Sequence, residues 1–190
     1  MKKLVIILTL VISNNISFSQ SVFDKFEDND NVTTVVLNQR MFKMLASLNI
    51  DSDDPDTKAT LEAAKKVTGL KVFSTGDEKI ASEMKTSVKQ HIKTSKLDEL
   101  MRIKDGDVNV KFYVLEGKDE NHVKELMMYM TGLSEVTNGE IEVNGKKRDI
   151  EAVIITLTGD IDLREVSKMT QSFDLPGGNQ LKKASKSKEK

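Results

Sequence analysis

FYVLEGKDENHVKELM, residues 112 to 127, sets an apolar run before a glycine among acids and follows it with a segment rich in Leu, Met, Glu and Lys. Residues 72–84 (VFSTGDEKIASEM) and 153–169 (VIITLTGDIDLREVSKM) have the same layout. In each, the apolar run has the pattern of a strand, the Gly-acid step that of a turn or cap, and the closing segment carries apolar residues three and four apart, as one face of a helix does. After Gly117 the spacing of Val123, Leu126, Met127 and Met130 therefore predicts an amphipathic helix. The similarity is a structural repeat at most, since few residues are identical between the three segments.

Working outward, Val32–Leu37 is rich in β-branched residues and leads into Met41, Phe42, Met44, Leu45 and Leu48, spaced for one helical face. A short helix with Leu61, Ala64 and Val67 precedes a strand at Leu70–Ser74, and Ile80, Met84, Val88 and Ile92 mark a further amphipathic helix. Segments 97–103 and 108–116 flank Asp105-Gly106, a dipeptide that tolerates positive φ, and so form an antiparallel hairpin. Val108, Val110, Phe112 and Val114 share one of its faces, and Asn109, Lys111 and Tyr113 alternate with them on the other. Asn144-Gly145 joins a strand at 140–143 to the long strand around 151–157, and a last helix carries Leu163, Val166, Met169 and Phe173. These elements predict an α+β two-layer sandwich, an antiparallel-rich sheet with amphipathic helices on one face, arranged as two ferredoxin-like halves. The second sheet face, with Asn109, Lys111 and Tyr113, is then open to a partner.

The two ends of the chain differ from this body. MKKLVIILTLVISNNISFSQ joins Lys2 and Lys3 to a short apolar run and a small polar region, the form of a secretory signal peptide cleaved after Ser19. The apolar run is shorter than the ~20 residues of a membrane-spanning helix. The expected organisation is a signal peptide at 1–19, one α+β domain at 20–173 and a disordered basic tail at 174–190, where five lysines face Asp174 and Glu189. That tail is suited to weak electrostatic contact with anionic lipid or an acidic partner.

The chain contains no cysteine, which excludes disulfides, thiolate metal sites, a cysteine nucleophile and a lipid anchor on an N-terminal cysteine. Its net charge of −1, and the acidic body left when Lys2 and Lys3 depart, imply no nucleic-acid partner. The expected location is the periplasm or the medium.

Three groups of residues carry candidate chemistry. Asp160 and Asp162 stand two apart after an apolar strand, as an acid–base pair could, yet Asp162 with Glu165 three residues on also has the spacing of a helix cap, which explains the acids more simply. Asp51, Asp53 and Glu62 fall at the first, third and twelfth positions of a calcium loop, but Pro55 and Asp56 occupy the fifth and sixth, where the loop needs a ligand and a glycine. His91 and His122 lie among charged residues and are expected as isolated surface histidines. Met127, Met128 and Met130 could suggest copper ligands, but two of the three fall on the apolar face of the expected helix, the placement of core residues. Neither G-x-S-x-G, nor H-E-x-x-H, nor a glycine-rich phosphate loop occurs. No cofactor is implied.

The segment SVFDKFEDNDNVTTVVLNQRMFKML after the signal, with the closing VIITLTGDIDLREVSKM, resembles the Bacteroidota envelope family catalogued as domain of unknown function 4252, over almost the whole mature chain. Members often carry a lipid-anchor cysteine that this chain lacks. The resemblance implies a small exported protein of the cell envelope, with no activity, cofactor or catalytic residue attached, and its association with regulators of extracytoplasmic stress implies a signalling or scaffolding part. Two functions are then expected: a non-catalytic module that binds a protein partner in the envelope through a sheet face or edge, or, as the alternative, a carboxylate-dependent hydrolase or carbohydrate-active protein using Asp160 and Asp162 or the 51–56 acids.

Overall fold

The computed structural model describes residues 21–47, 55–134, 141–143 and 146–166. The expected signal peptide, the basic tail, Asp51, Asp53, Leu48, Asn144-Gly145, Met169 and Phe173 lie outside the described residues. After a 3-10 turn at Asp24–Phe26 come β1 (Thr33–Asn38), α1 (Gln39–Ser47), α2 (Pro55–Lys66), β2 (Val67–Thr75), α3 (Glu78–Ser95), β3 (Asp98–Asp105), β4 (Val108–Glu116), β5 (His122–Thr131), β6 (Ile141–Val143), β7 (Lys146–Arg148) and β8 (Ala152–Asp162). Six strands form one sheet in the order β1-β2-β8-β5-β4-β3, every neighbouring pair antiparallel. The fold is thus α+β with an antiparallel sheet.

Locally much of this follows from the residues. Asp77 caps α3, its Oδ1 accepting from the Ile80 N–H at 3.0 Å, and Lys96 ends the helix in the left-handed conformation. Between these caps Ile80, Met84 and Val88 recur at helical spacing and are buried. They pack with Phe73 from β2, Met127 and Tyr129 from β5, Ile154 from β8, and Phe23 and Phe26 from the N-terminal turn to form the main core on the helix-covered side of the sheet. Lys71 pins that turn to β2 through Asp24 (2.8 Å) and Glu27 (2.7 Å). On the opposite side Val114, Val123 and Ile161 pack with Leu126, Leu157, Leu163 and Val166.

Three expectations are corrected. Residues 122–131 are strand β5 instead of a helix. Leu, Met, Glu and Lys favour helix in isolation, but β5 lies between β4 and β8 with its backbone paired on both sides. Met127 and Tyr129 enter one core while Val123 and Leu126 enter the other. A strand buried on both faces loses its alternation and can then pass for a helix face. Among the described residues the helix α3 joins β2 to β3 across the sheet, whereas the segment at 118–131, expected to supply a similar helix, holds none. The Gly117–Asp119 step is a turn between strands, with the Asp119 carboxylate accepting from the Asn121 N–H at 2.9 Å.

The second correction concerns Gly159, which lies within β8 at φ +141 rather than at its end. A Cβ there would stand 2.3 Å from the Lys66 carbonyl oxygen, so the glycine admits the α2–β2 junction to close approach. The β2–β8 register shifts at this point, between Val67 and Gly69. Third, β6 pairs with the short strand β7 and not with β8.

Candidate functional site

β1 is one edge of the sheet, and among the described residues no strand pairs with its outer side. Its sequence, TTVVLN, has no charge, no proline and no glycine. Val35 and Val36, at its centre, are 43% and 48% exposed on opposite sides of the strand, and Met41, Met44 and Leu45 of α1 continue the exposed apolar surface. Val36, Leu37, Asn38, Arg40, Met41 and Met44 line a groove of about 450 Å³ along this edge. A strand edge presents free N–H and C=O groups at the spacing of another strand, and a side groove gives alternate side chains of an added strand a place to bury.

Val36, Leu37 and Asn38 also border a second hollow of about 450 Å³, beneath the C-terminal half of α3. In it His91 Nε2 meets Glu125 Oε1 at 2.6 Å, with both side chains largely withdrawn from solvent. The His91 ring packs on Phe23 at a centroid distance of 5.0 Å. His91 is therefore a paired, largely buried histidine that holds α3 to β5, contrary to the expectation of an isolated surface group. With Nε2 donating to the carboxylate, Nδ1 faces Ser95 Oγ at 3.4 Å. The order Ser–His–Glu resembles a nucleophile relay, but its setting opposes that chemistry. Ser95 is the last residue of α3, where the outward carbonyls and the negative end of the helix dipole disfavour an oxyanion. The arrangement is a structural clamp.

His122 is likewise paired, its Nδ1 2.7 Å from Asp119 Oδ1 and its Nε2 3.9 Å from Asp162 Oδ2. Asp162 caps the helical turn at 163–166, accepting from the Arg164 N–H at 2.9 Å while the Arg164 guanidinium bonds both its oxygens. The hydrogen bond from Arg164 draws the Asp162 carboxyl down to about 2. Asp160 is bound to Lys118 at 2.7 Å, which also lowers its pKa. Both acids are held ionised by neighbouring cations, so neither is poised to give up or take a proton near neutrality.

Glu62 is exposed on α2 and paired with Lys65, three residues on in the same helix. Among the described residues no group of three or more His, Asp or Glu is placed to hold a metal, and no helix is long and apolar enough to cross a membrane. Asn109, Lys111 and Tyr113 lie on the helix-covered side of the sheet, where Tyr113 is 8% exposed within the main core. Asn109 and Lys111 line a cavity of about 580 Å³ beside the N-terminal half of α3. Alternation alone separates the two faces of β4 without saying which one the helix covers.

Sequence reasoning missed the β1 edge and the His91–Glu125 pair. For the edge a signal exists, the contrast between TTVVLN and the charged β3, DELMRIKD. For the pair there is none, because its partners stand 34 residues apart and meet only when α3 lies across β5. No curated protein and no solved structure matches the chain. The family model described as "Domain of unknown function (DUF4252)" matches residues 26–169, from the N-terminal turn past the end of β8, and the chain belongs to that family.

Proposed function

We propose that the chain is a non-catalytic binding module of the cell envelope, taking an extended segment of a protein partner alongside β1. The observation that carries this reading is the uncharged, exposed β1 edge with an apolar groove beside it. Main-chain hydrogen bonds along the edge would supply affinity, and side chains entering the groove past Val36 and Met44 would supply selectivity. Export through the segment at 1–19 would bring the module to the periplasm or the medium, where the tail at 174–190 adds a weak, salt-sensitive attraction to acidic surfaces. The ion-paired states of Asp160 and Asp162 favour this function over carboxylate-dependent hydrolysis.

The test is capture from envelope extracts by the mature chain, followed by hydrogen exchange on the purified complex. One partner that protects the β1 amides and is lost with Val36→Lys supports the reading. A partner that binds Val36→Lys as well as wild type, or protects a different segment, overturns it. An edge lysine is a device by which sheets refuse an added strand. The substitution is also expected to leave the fold intact, because Val36 is half exposed.

A further inference from the structure

α3 turns a row of lysines away from the core. Lys85, Lys89, Lys93 and, at the cap, Lys96 follow one another at spacings of four, four and three, and all four are exposed. They form one outward stripe about 16 Å long. The cavity beside α3, whose walls include Lys85 from the helix and Asn109, Lys111 and Tyr129 from β4 and β5, shows that the stripe looks toward β4 and the edge strand β3. In the β3–β4 register Arg102 stands opposite Lys111 and Lys104 opposite Asn109, so Arg102 and Lys104 share the helix-covered side. The lysine stripe is thus the wall of a step whose floor is the β3–β4 ladder, with Lys111 half-buried at its foot.

Lys85, Lys89, Lys93, Lys96, Lys104 and Lys111 make no ion pair among the described residues. Arg102 holds Glu99 at 2.7 Å, and that hydrogen bond, with the charge of Lys111 adding to it, keeps the Glu99 carboxyl below its usual range. Other acids stand at the ends of the step, Glu78, Asp107 and Glu151 around the cavity and Asp98 where β3 begins. The whole chain has a net charge of −1, so this surface departs from the average of the molecule. A half-buried lysine without a counter-ion is a cost in the free protein, and an arriving carboxylate removes it.

We infer that the step binds an extended acidic segment of a polypeptide. Alternate residues of an extended chain are ~7 Å apart, close to the ~6 Å between successive lysines of the stripe, so carboxylates on every second residue can each meet a cation. A flat lipid surface would rest on the helix without reaching Lys111 on the floor. A nucleic acid would call for aromatic faces on which its bases stack, and Tyr113 and Tyr129, the tyrosines of this side, are 8% and 7% exposed. The contact is made by side chains and leaves the β1 edge free, so it is independent of strand addition there.

The probe is a labelled octapeptide of alternating glutamate and serine, followed by fluorescence anisotropy with the mature chain at low salt. Saturable binding is expected, lost when glutamine replaces the glutamates and weakened as salt is raised. Lys89→Glu with Lys93→Glu should weaken it about tenfold or more. Lys43→Glu with Lys65→Glu, the same change of charge on exposed positions of α1 and α2, should change it little. Lys89→Gln with Lys93→Gln should give a smaller loss in the same direction, and it decides the matter if the reversal disturbs α3. Absence of saturable binding, or equal losses from the two charge reversals, would overturn the inference. Tighter binding of polygalacturonate, oligothymidylate or phosphatidylglycerol vesicles at equal charge concentration would overturn it as well.

Discussion

The two edges of the sheet are built on opposite plans. β3, DELMRIKD, carries charge at five of its eight positions, and Arg102 and Glu99 pair across its surface at 2.7 Å. β1, TTVVLN, has no charged residue and exposes a valine on each side. Lysines and acids along an edge deter further strands because an added chain would strip their hydration, whereas β-branched residues with free backbone groups invite one. The charged edge thus limits the sheet at β3 and leaves one direction in which it can grow. The ion pairs near the two edges differ in the same sense. Glu125 and His91, in the hollow that borders β1, are 12% and 16% exposed. Glu99 and Arg102 on β3 are 36% and 53% exposed.

Breaking the asymmetry should show most strongly in binding. Val36→Lys gives β1 the kind of charge that β3 already has, and partner affinity measured by calorimetry should fall at least ~100-fold, about 2.7 kcal/mol, with chemical denaturation little changed. Next in size is His91→Ala, which strands the Glu125 carboxylate against α3. Urea unfolding should show a loss of ~2 kcal/mol, the order expected when one partner of a sequestered pair is removed. If the loss is below ~0.5 kcal/mol, the clamp beside β1 is no stronger than an exposed pair.

A smaller effect is expected from Asp162, at the end of β8. Its carboxyl is lowered to about 2 in the folded chain from an ordinary value of 3.8. The unfolded chain therefore takes up that proton first as the solution is acidified. The stabilisation is fully present above pH ~4 and disappears as pH falls through about 2, amounting to ~1 kcal/mol once the exposed Arg164 partner is allowed for. Asp162→Asn should remove this part of the acid dependence in unfolding curves recorded between pH 5 and 2. The smallest effect belongs to β3, where Arg102→Ala should leave the urea midpoint where it is in the wild type, because water and salt screen so exposed a pair. A clear drop in the midpoint would show that the pair holds the charged edge in place.

The parts of the fold that are legible in the sequence rest on contacts between near neighbours. Asp105-Gly106 marks the β3–β4 turn, and Gly106 takes φ +55 there. Asp77 and the four-residue spacing from Ile80 identify α3 and its cap. Asp162 reads as a cap, and it does accept from a backbone N–H of the following turn. β5 is not legible, because its Leu, Met, Glu and Lys residues suit a helix until β4 and β8 take up its backbone on either side. The same limit applies to Asn109, Lys111 and Tyr113, whose alternation with Val110 and Phe112 is plain in the sequence while the face that meets α3 is set by the distant helix.

By itself the sequence determined the elements whose hydrogen bonds and turns close within a few residues: the β3–β4 hairpin, the capped helix α3, the strands β1 and β2, and the absence of any cysteine chemistry. Only the tertiary structure decided that 122–131 is a strand, that β1 and β3 are the edges, that His91 meets Glu125, and that Tyr129 and Asn109 share a cavity. Each of these depends on pairing across tens of residues, where the free energy comes from a neighbour that the local sequence does not contain.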